Sequence, residues 1–140
     1  MTVFGTFGGT LKDNVKIVIT GHSRGAAVGN LLTERLHGKY GTEPELEKIQ
    51  QRIFNYNFAT PRTIANKSYA KERANILNIN NEKDPITEYL PWMGTWYRHG
   101  IDITFDKGGD PKVLLHLGHH RAELYQREII RNVGLTPSLS

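Results

Sequence analysis

The sequence predicts an α/β fold, a parallel sheet with crossover helices, from three observations. Short apolar runs alternate with helix-like segments along the chain. A glycine-bracketed serine stands where the first run meets the first helical stretch. An Asp-Pro pair, Asp84-Pro85, closes off the third run. In order, Lys16–Thr20 is a β-branched run with the composition of a buried parallel strand. Gly21–Gly25 then leads into a helical pattern over 26–37. Within it Ala27 and Leu31, then Val28, Leu32 and Leu36, fall on one inward stripe, and Gly38 is placed to end the helix. Thr42-Glu43-Pro44 opens a shorter helix with Leu46 and Ile49 inward. Ile53–Phe58 is a second strand, residues 63–73 are polar and weakly helical, and 75–80 is a third strand. An aromatic loop holds Trp92, Trp96 and Tyr97. Ile101–Phe105 and Val113–Leu117 flank Asp106-Lys107-Gly108-Gly109-Asp110-Pro111, turn chemistry that predicts a C-terminal hairpin. His119–Arg131 closes the chain as a helix.

Composition narrows the classes of function. With 38% hydrophobic and 23% charged residues in 140, the chain fits one globular core rather than a disordered segment. No apolar run approaches the roughly 20 residues of a transmembrane helix. The start, Met1–Thr10, has neither the basic residues nor the apolar stretch of a signal peptide. There are no cysteines, which removes thiol catalysis, disulfides and Cys-ligated metal. The net charge of +4 permits attraction to anionic surfaces. Lys and Arg are nevertheless scattered among acidic residues, so no nucleic-acid partner is expected.

Gly21-His22-Ser23-Arg24-Gly25 is weak as a bare Gly-x-Ser-x-Gly pattern and strong in its context. A nucleophile elbow needs a strand, a sharp strained turn, and a helix starting straight after the serine. The expectation is that Gly21 and Gly25 sit where a Cβ would meet neighbouring backbone. Ser23 Oγ is then presented at a helix N-terminus, whose free N–H groups favour negative charge. The Arg24 backbone N–H is the expected oxyanion donor. Such a serine needs a base, and the base an orienting acid, in the chain order Ser, Asp/Glu, His. Asp84, just past the third strand, is the candidate acid; its plainer role is a turn former before proline. Among the histidines beyond it, His116 lies inside a strand pattern and His99 precedes the hairpin, so both read as packing or surface residues. His119 and His120 enter the last helix, and position alone does not separate them.

Five blocks carry a family resemblance. Val18–Val28 resembles the elbow of bacterial class 3 lipases. Asn57-Phe58-Ala59-Thr60-Pro61-Arg62 resembles that family's Phe-Gly/Ala-Ser/Thr-Pro strand end. Asn78–Ile86 with Leu90-Pro91 resembles its Asp-bearing segment, and Tyr97–Ile101 the strand that follows. His120–Tyr125 resembles its His-Ser-Met-x-x-Tyr ending, and the spacing to Tyr125 selects His120 over His119. The likeness spans about residues 15 to 127. It implies a partial α/β-hydrolase fold and hydrolysis of carboxylic esters, acylglycerols included. It also implies Ser23, Asp84 and His120 as catalytic residues, without a metal or organic cofactor.

The chain departs from the pattern in places. Arg24-Gly25-Ala26 replaces the commoner Leu-Gly-Gly, and Ser and Met are missing after the histidine. Fifteen residues precede Lys16, where the family has several strands and a loop with a second oxyanion donor. The expectation is therefore a single domain over 1–140 that lacks the family's N-terminal strands, weak or inactive as a hydrolase. On that view the Lys16–Thr20 edge is unpaired and open to self-association. A non-catalytic fragment or interaction module is the competing class. Trp92, Trp96 and Tyr97 read as an acyl pocket or as cover for the sheet, and the Arg24 side chain as an anion attractor or a surface ion-pair partner. His22 reads as packing under the elbow. A His119-His120 metal pair lacks a third ligand at suitable spacing.

Overall fold

The computed structural model describes residues 15–40, 51–88, 95–106 and 119–133. Their elements are strand β1 (Ile17–His22), helix α1 (Arg24–Tyr40), strand β2 (Ile53–Phe58), strand β3 (Ile76–Asn81), helix α2 (Pro85–Glu88), strand β4 (Ile101–Phe105) and helix α3 (Ala122–Val133). The strands form one parallel sheet in the order β1-β2-β3-β4. The fold is α/β, in keeping with a partial α/β-hydrolase core. The segment 63–73 contributes a 3₁₀ turn at Lys67–Tyr69 rather than a helix. The predicted helix at 42–50 and the second hairpin arm at 113–117 lie outside the described residues, as do Trp92 and His116.

Strand alternation assigns the two faces of the sheet. Ile17, Ile19 and Gly21 pair with Ile53, Asn55 and Asn57, and Asn57 pairs with Asn78. This face carries α1, and it is largely polar: Asn55, Asn57, Asn78 and Asn80 are fully buried. The helix answers with polar residues. Asn30 donates to Asn78 Oδ1 at 3.0 Å and to the His99 carbonyl at 2.8 Å, and accepts the His99 N–H at 3.1 Å. A Cβ on Gly29 would lie 3.0 Å from Asn57 Oδ1 and 3.3 Å from Ile19 Cγ2, so glycine sets how closely the helix approaches the sheet.

The inward stripe of α1 therefore differs from the predicted one. Ala26, Asn30, Thr33 and His37 are buried, while Val28, Leu31 and Leu32 are exposed. Of the expected stripe, Ala27 is buried and Leu36 half-buried. Gly38 does not end the helix, which runs on to Tyr40; a glycine inside a helix costs about 1 kcal/mol relative to Ala, which tertiary contacts override. The last helix begins at Ala122 rather than His119.

The opposite face is apolar: Tyr56, Leu77 and Ile101 are in register, and so are Phe58, Ile79 and Ile103. Tyr125 of α3 packs edge-on against Phe58 and Phe105, ring centroids 6.4 and 5.2 Å away. Because the strands are parallel, their carboxyl ends meet at one rim. There stand Ser23 after β1, Asp84 after β3, and the segment entering α3.

Candidate active site

The elbow forms because β1 is β-branched up to Thr20 and the chain must then reverse into a helix. Ser23 continues the ladder, its N–H donating to the Phe58 carbonyl at 2.9 Å. Its φ of +57° lies in the left-handed region, which costs a non-glycine residue of order 1–3 kcal/mol. Helix α1 begins at the next residue, and its first observed bond runs from Ala27 N–H to the Ser23 carbonyl at 3.1 Å. The Arg24 N–H is thus one of the first-turn donors left without an intrahelical acceptor. A Cβ on Gly21 would lie 2.5 Å from the Gly25 carbonyl carbon and oxygen, so glycine is required there. Gly25 is different: a Cβ would point into open space. The tight approach is one-sided because the turn folds Gly21 onto the helix start.

Three residues singled out in the sequence meet at this turn. His120 Nε2 lies 2.6 Å from Ser23 Oγ, and His120 Nδ1 lies 2.8 Å from Asp84 Oδ2. A carboxylate only accepts, so Nδ1 carries the proton and Nε2 is free to accept from the serine hydroxyl. Asp84 is buried, 1% exposed, and its oxygens divide their partners. Oδ1 accepts the Ile86 N–H at 3.0 Å, capping α2, while Oδ2 faces His120 and also accepts the Tyr125 hydroxyl at 2.9 Å. Tyr125 OH in turn accepts the Asn81 N–H at 3.0 Å. Burial, first, and the nearby Asp84 carboxylate push the Tyr125 hydroxyl far above its usual range, so it stays a neutral donor.

The remaining candidates take other places. His22 lies beside the site: its Nε2–H donates to the His120 carbonyl at 2.8 Å, and the two rings are 5.0 Å apart. His99 is buried in the packing under α1. His119 is half-buried in the segment before α3. Tyr97 forms an antiparallel bridge with Ile64, covering the chain beside the sheet, and Trp96 is half-buried next to it. Among the described residues no three His, Asp or Glu side chains are grouped to hold a metal, and no helix is long and apolar enough to cross a membrane.

Two supporting residues were not assigned a role from sequence. Tyr125 is one; its spacing from His120 was visible, its contact with a residue 41 positions away was not. Arg98 is the other. Its guanidinium donates to the Thr60 carbonyl at 2.5 Å and the Thr87 carbonyl at 2.9 Å, and forks onto Asp102 at 2.8 and 2.7 Å. It ties the end of β2 to the helix that Asp84 caps. No local pattern announces it, because its carbonyl partners Thr60 and Thr87 lie 38 and 11 positions away.

A family model described as lipase (class 3) matches residues 9–93. The matched stretch includes Ser23 and Asp84 and stops short of His120. No curated protein and no solved structure gives a significant match.

Proposed function

Because the chain belongs to the class 3 lipase family, we propose that this hydrolase cleaves carboxylic esters, acylglycerol-type substrates among them, through an acyl-enzyme on Ser23. The observation that carries the reading is the relay Ser23 Oγ–His120–Asp84, two hydrogen bonds of 2.6 and 2.8 Å joining three separate segments. In the proposed mechanism Ser23 Oγ attacks the ester carbonyl as its proton passes to His120 Nε2. The oxyanion accepts from the Arg24 N–H. As the tetrahedral species collapses, the alcohol leaves with the proton from His120, and the acyl group stays on Ser23. Water then attacks the acyl-enzyme, gives its proton to His120, and the acid is released as Ser23 Oγ is reprotonated. Asp84 holds the imidazole in the required tautomer and offsets its transient positive charge.

On this reading the Arg24 N–H is one oxyanion donor, and removing one such donor typically costs about 10²–10³ in turnover. Hydrolysis of short activated esters is therefore expected. The test is fluorophosphonate labelling with mapping of the modified peptide, run beside hydrolysis of short-chain p-nitrophenyl esters. Labelling at Ser23, and rates that disappear in Ser23→Ala, are the expected results. No labelling at Ser23 and no rate that Ser23→Ala removes would discard this reading in favour of a non-catalytic, hydrolase-like interaction module.

A further inference from the structure

His22 is fixed as the last residue of β1, in register with Phe58, and so next to Ser23 on the rim of the sheet. Its side chain makes a specific contact rather than merely filling space. A carbonyl only accepts, so the 2.8 Å contact with His120 O requires a proton on His22 Nε2. The ring also stands edge-on to Tyr125, centroids 5.7 Å apart, and tilted by 43° against His120. His120 is consequently held at two points by adjacent residues: its ring by Ser23 Oγ and its backbone by His22. His120 precedes α3 and lies 97 positions from Ser23, so its placement depends on such tertiary ties.

We infer that His22 is a positioning residue, whose Nε2–H, donated to the His120 carbonyl, fixes the backbone of the base opposite the Ser23 hydroxyl. The inference rests on the proposed serine-hydrolase reading and adds to it a role for the residue before the nucleophile. The neutral form suits the task. Burial, first, and His120 hold the His22 pKa below its ordinary value, against the opposing pull of the His120 carbonyl, Asp84 and Glu123. An uncharged His22 leaves His120 free to become the imidazolium during turnover, with no second cation 5.0 Å away. A misplacement of order 1 Å at a reacting group costs up to about 10²-fold in rate.

Gln and Met separate donation from bulk, since they match in length and only Gln offers an N–H. The 140-residue chain and its His22→Gln, His22→Met and Ser23→Ala variants are compared for kcat and KM on a short-chain p-nitrophenyl ester. In parallel, proton NMR follows the downfield His120 Nδ1–H resonance, which needs no turnover. The expected result is a loss of about 10-fold or more in kcat for His22→Met with KM within about twofold, and recovery of most of that loss in His22→Gln. The resonance is expected to broaden in His22→Met and persist in His22→Gln. Equal kcat for Met and wild type, or Gln as impaired as Met, overturns the inference. If wild type shows no Ser23-dependent rate, the functional reading fails, and the resonance then decides alone: an unchanged signal in His22→Met overturns the positioning role.

Discussion

Asp84 shows how one side chain serves fold and site together. Its Oδ1 caps α2 through the Ile86 N–H, while Oδ2 receives His120 and Tyr125. The reading of Asp84 from sequence as either turn former or site acid thus meets a geometry in which it contacts both sets of partners. The strand end and the following proline made the position legible. Tyr125 was less legible, because a tyrosine on an amphipathic helix reads as packing, and its ring does pack on Phe58 and Phe105. Its hydroxyl is the informative part. Tyr125→Phe keeps the ring and removes a hydroxyl that donates to Asp84 and accepts the buried Asn81 N–H. The expected outcome is a stability loss of about 1–3 kcal/mol by urea denaturation. On the proposed mechanism, kcat also falls about 10-fold with little change in KM, since Asp84 is less firmly held. A stability loss with kcat unchanged would confine Tyr125 to the fold.

At the scale of elements, the helix following the elbow was predicted in place but with the wrong face inward. Helical periodicity points to whichever stripe is most apolar, here the one with Val28, Leu31 and Leu32. The sheet it meets is not apolar, and the stripe that matches the asparagine rows is Ala26, Asn30, Thr33 and His37. A signal existed in the alternation Asn55-x-Asn57 and Asn78-x-Asn80, which marks one polar face on two neighbouring strands. This polar layer makes the helix–sheet contact sensitive to acid. His37 Nε2 accepts from the Asn75 amide at 3.0 Å, and His99 Nδ1 accepts the Lys71 N–H at 3.0 Å, so both rings serve as acceptors only when neutral. Burial is the main cause holding both pKa values below 6.5, despite the Glu34 carboxylate nearby. The unfolded chain then binds more protons than the folded one below that value. Stability is expected to be level above about pH 6.5 and to fall as pH drops through and below it, by urea midpoints from about pH 7.5 to about pH 5. Glu34 is different: burial disfavours its charge, yet Arg73 outweighs burial and holds its pKa below the usual range. Its contribution is lost only in more acidic solution. A midpoint that stays flat or rises over the interval from about pH 7.5 to about pH 5 would contradict the account, and His37→Gln is expected to shallow the slope.

For the molecule as a whole, the parallel order and the gathering of Ser23 and Asp84 at the carboxyl rim were legible from strand–helix alternation. The order of the other strands was not, since sheet order depends on crossovers rather than on composition. Among the described residues β1 is an outer strand, paired with β2 on one side. Its face away from α1 exposes Val18, at 63%, and α1 exposes Val28, at 60%, with Leu31 and Leu32 beside it. An outer strand with exposed apolar side chains is a template for pairing with another chain. Charge does not guard it: Lys16 lies before the strand, and none of Ile17, Val18, Ile19 or Thr20 is charged. We therefore propose self-association of two copies through β1. Sedimentation velocity over a range of protein concentrations is expected to show reversible dimer or larger species. Val18→Lys, which sets a charge on the outer strand without touching the contacts of Ser23, is expected to shift the chain to monomer. If wild type sediments as a monomer at every concentration, the β1 edge is not a self-association surface. If Val18→Lys associates as wild type does, the contact lies elsewhere, and the exposed Val28, Leu31 and Leu32 of α1 become the surface to substitute next.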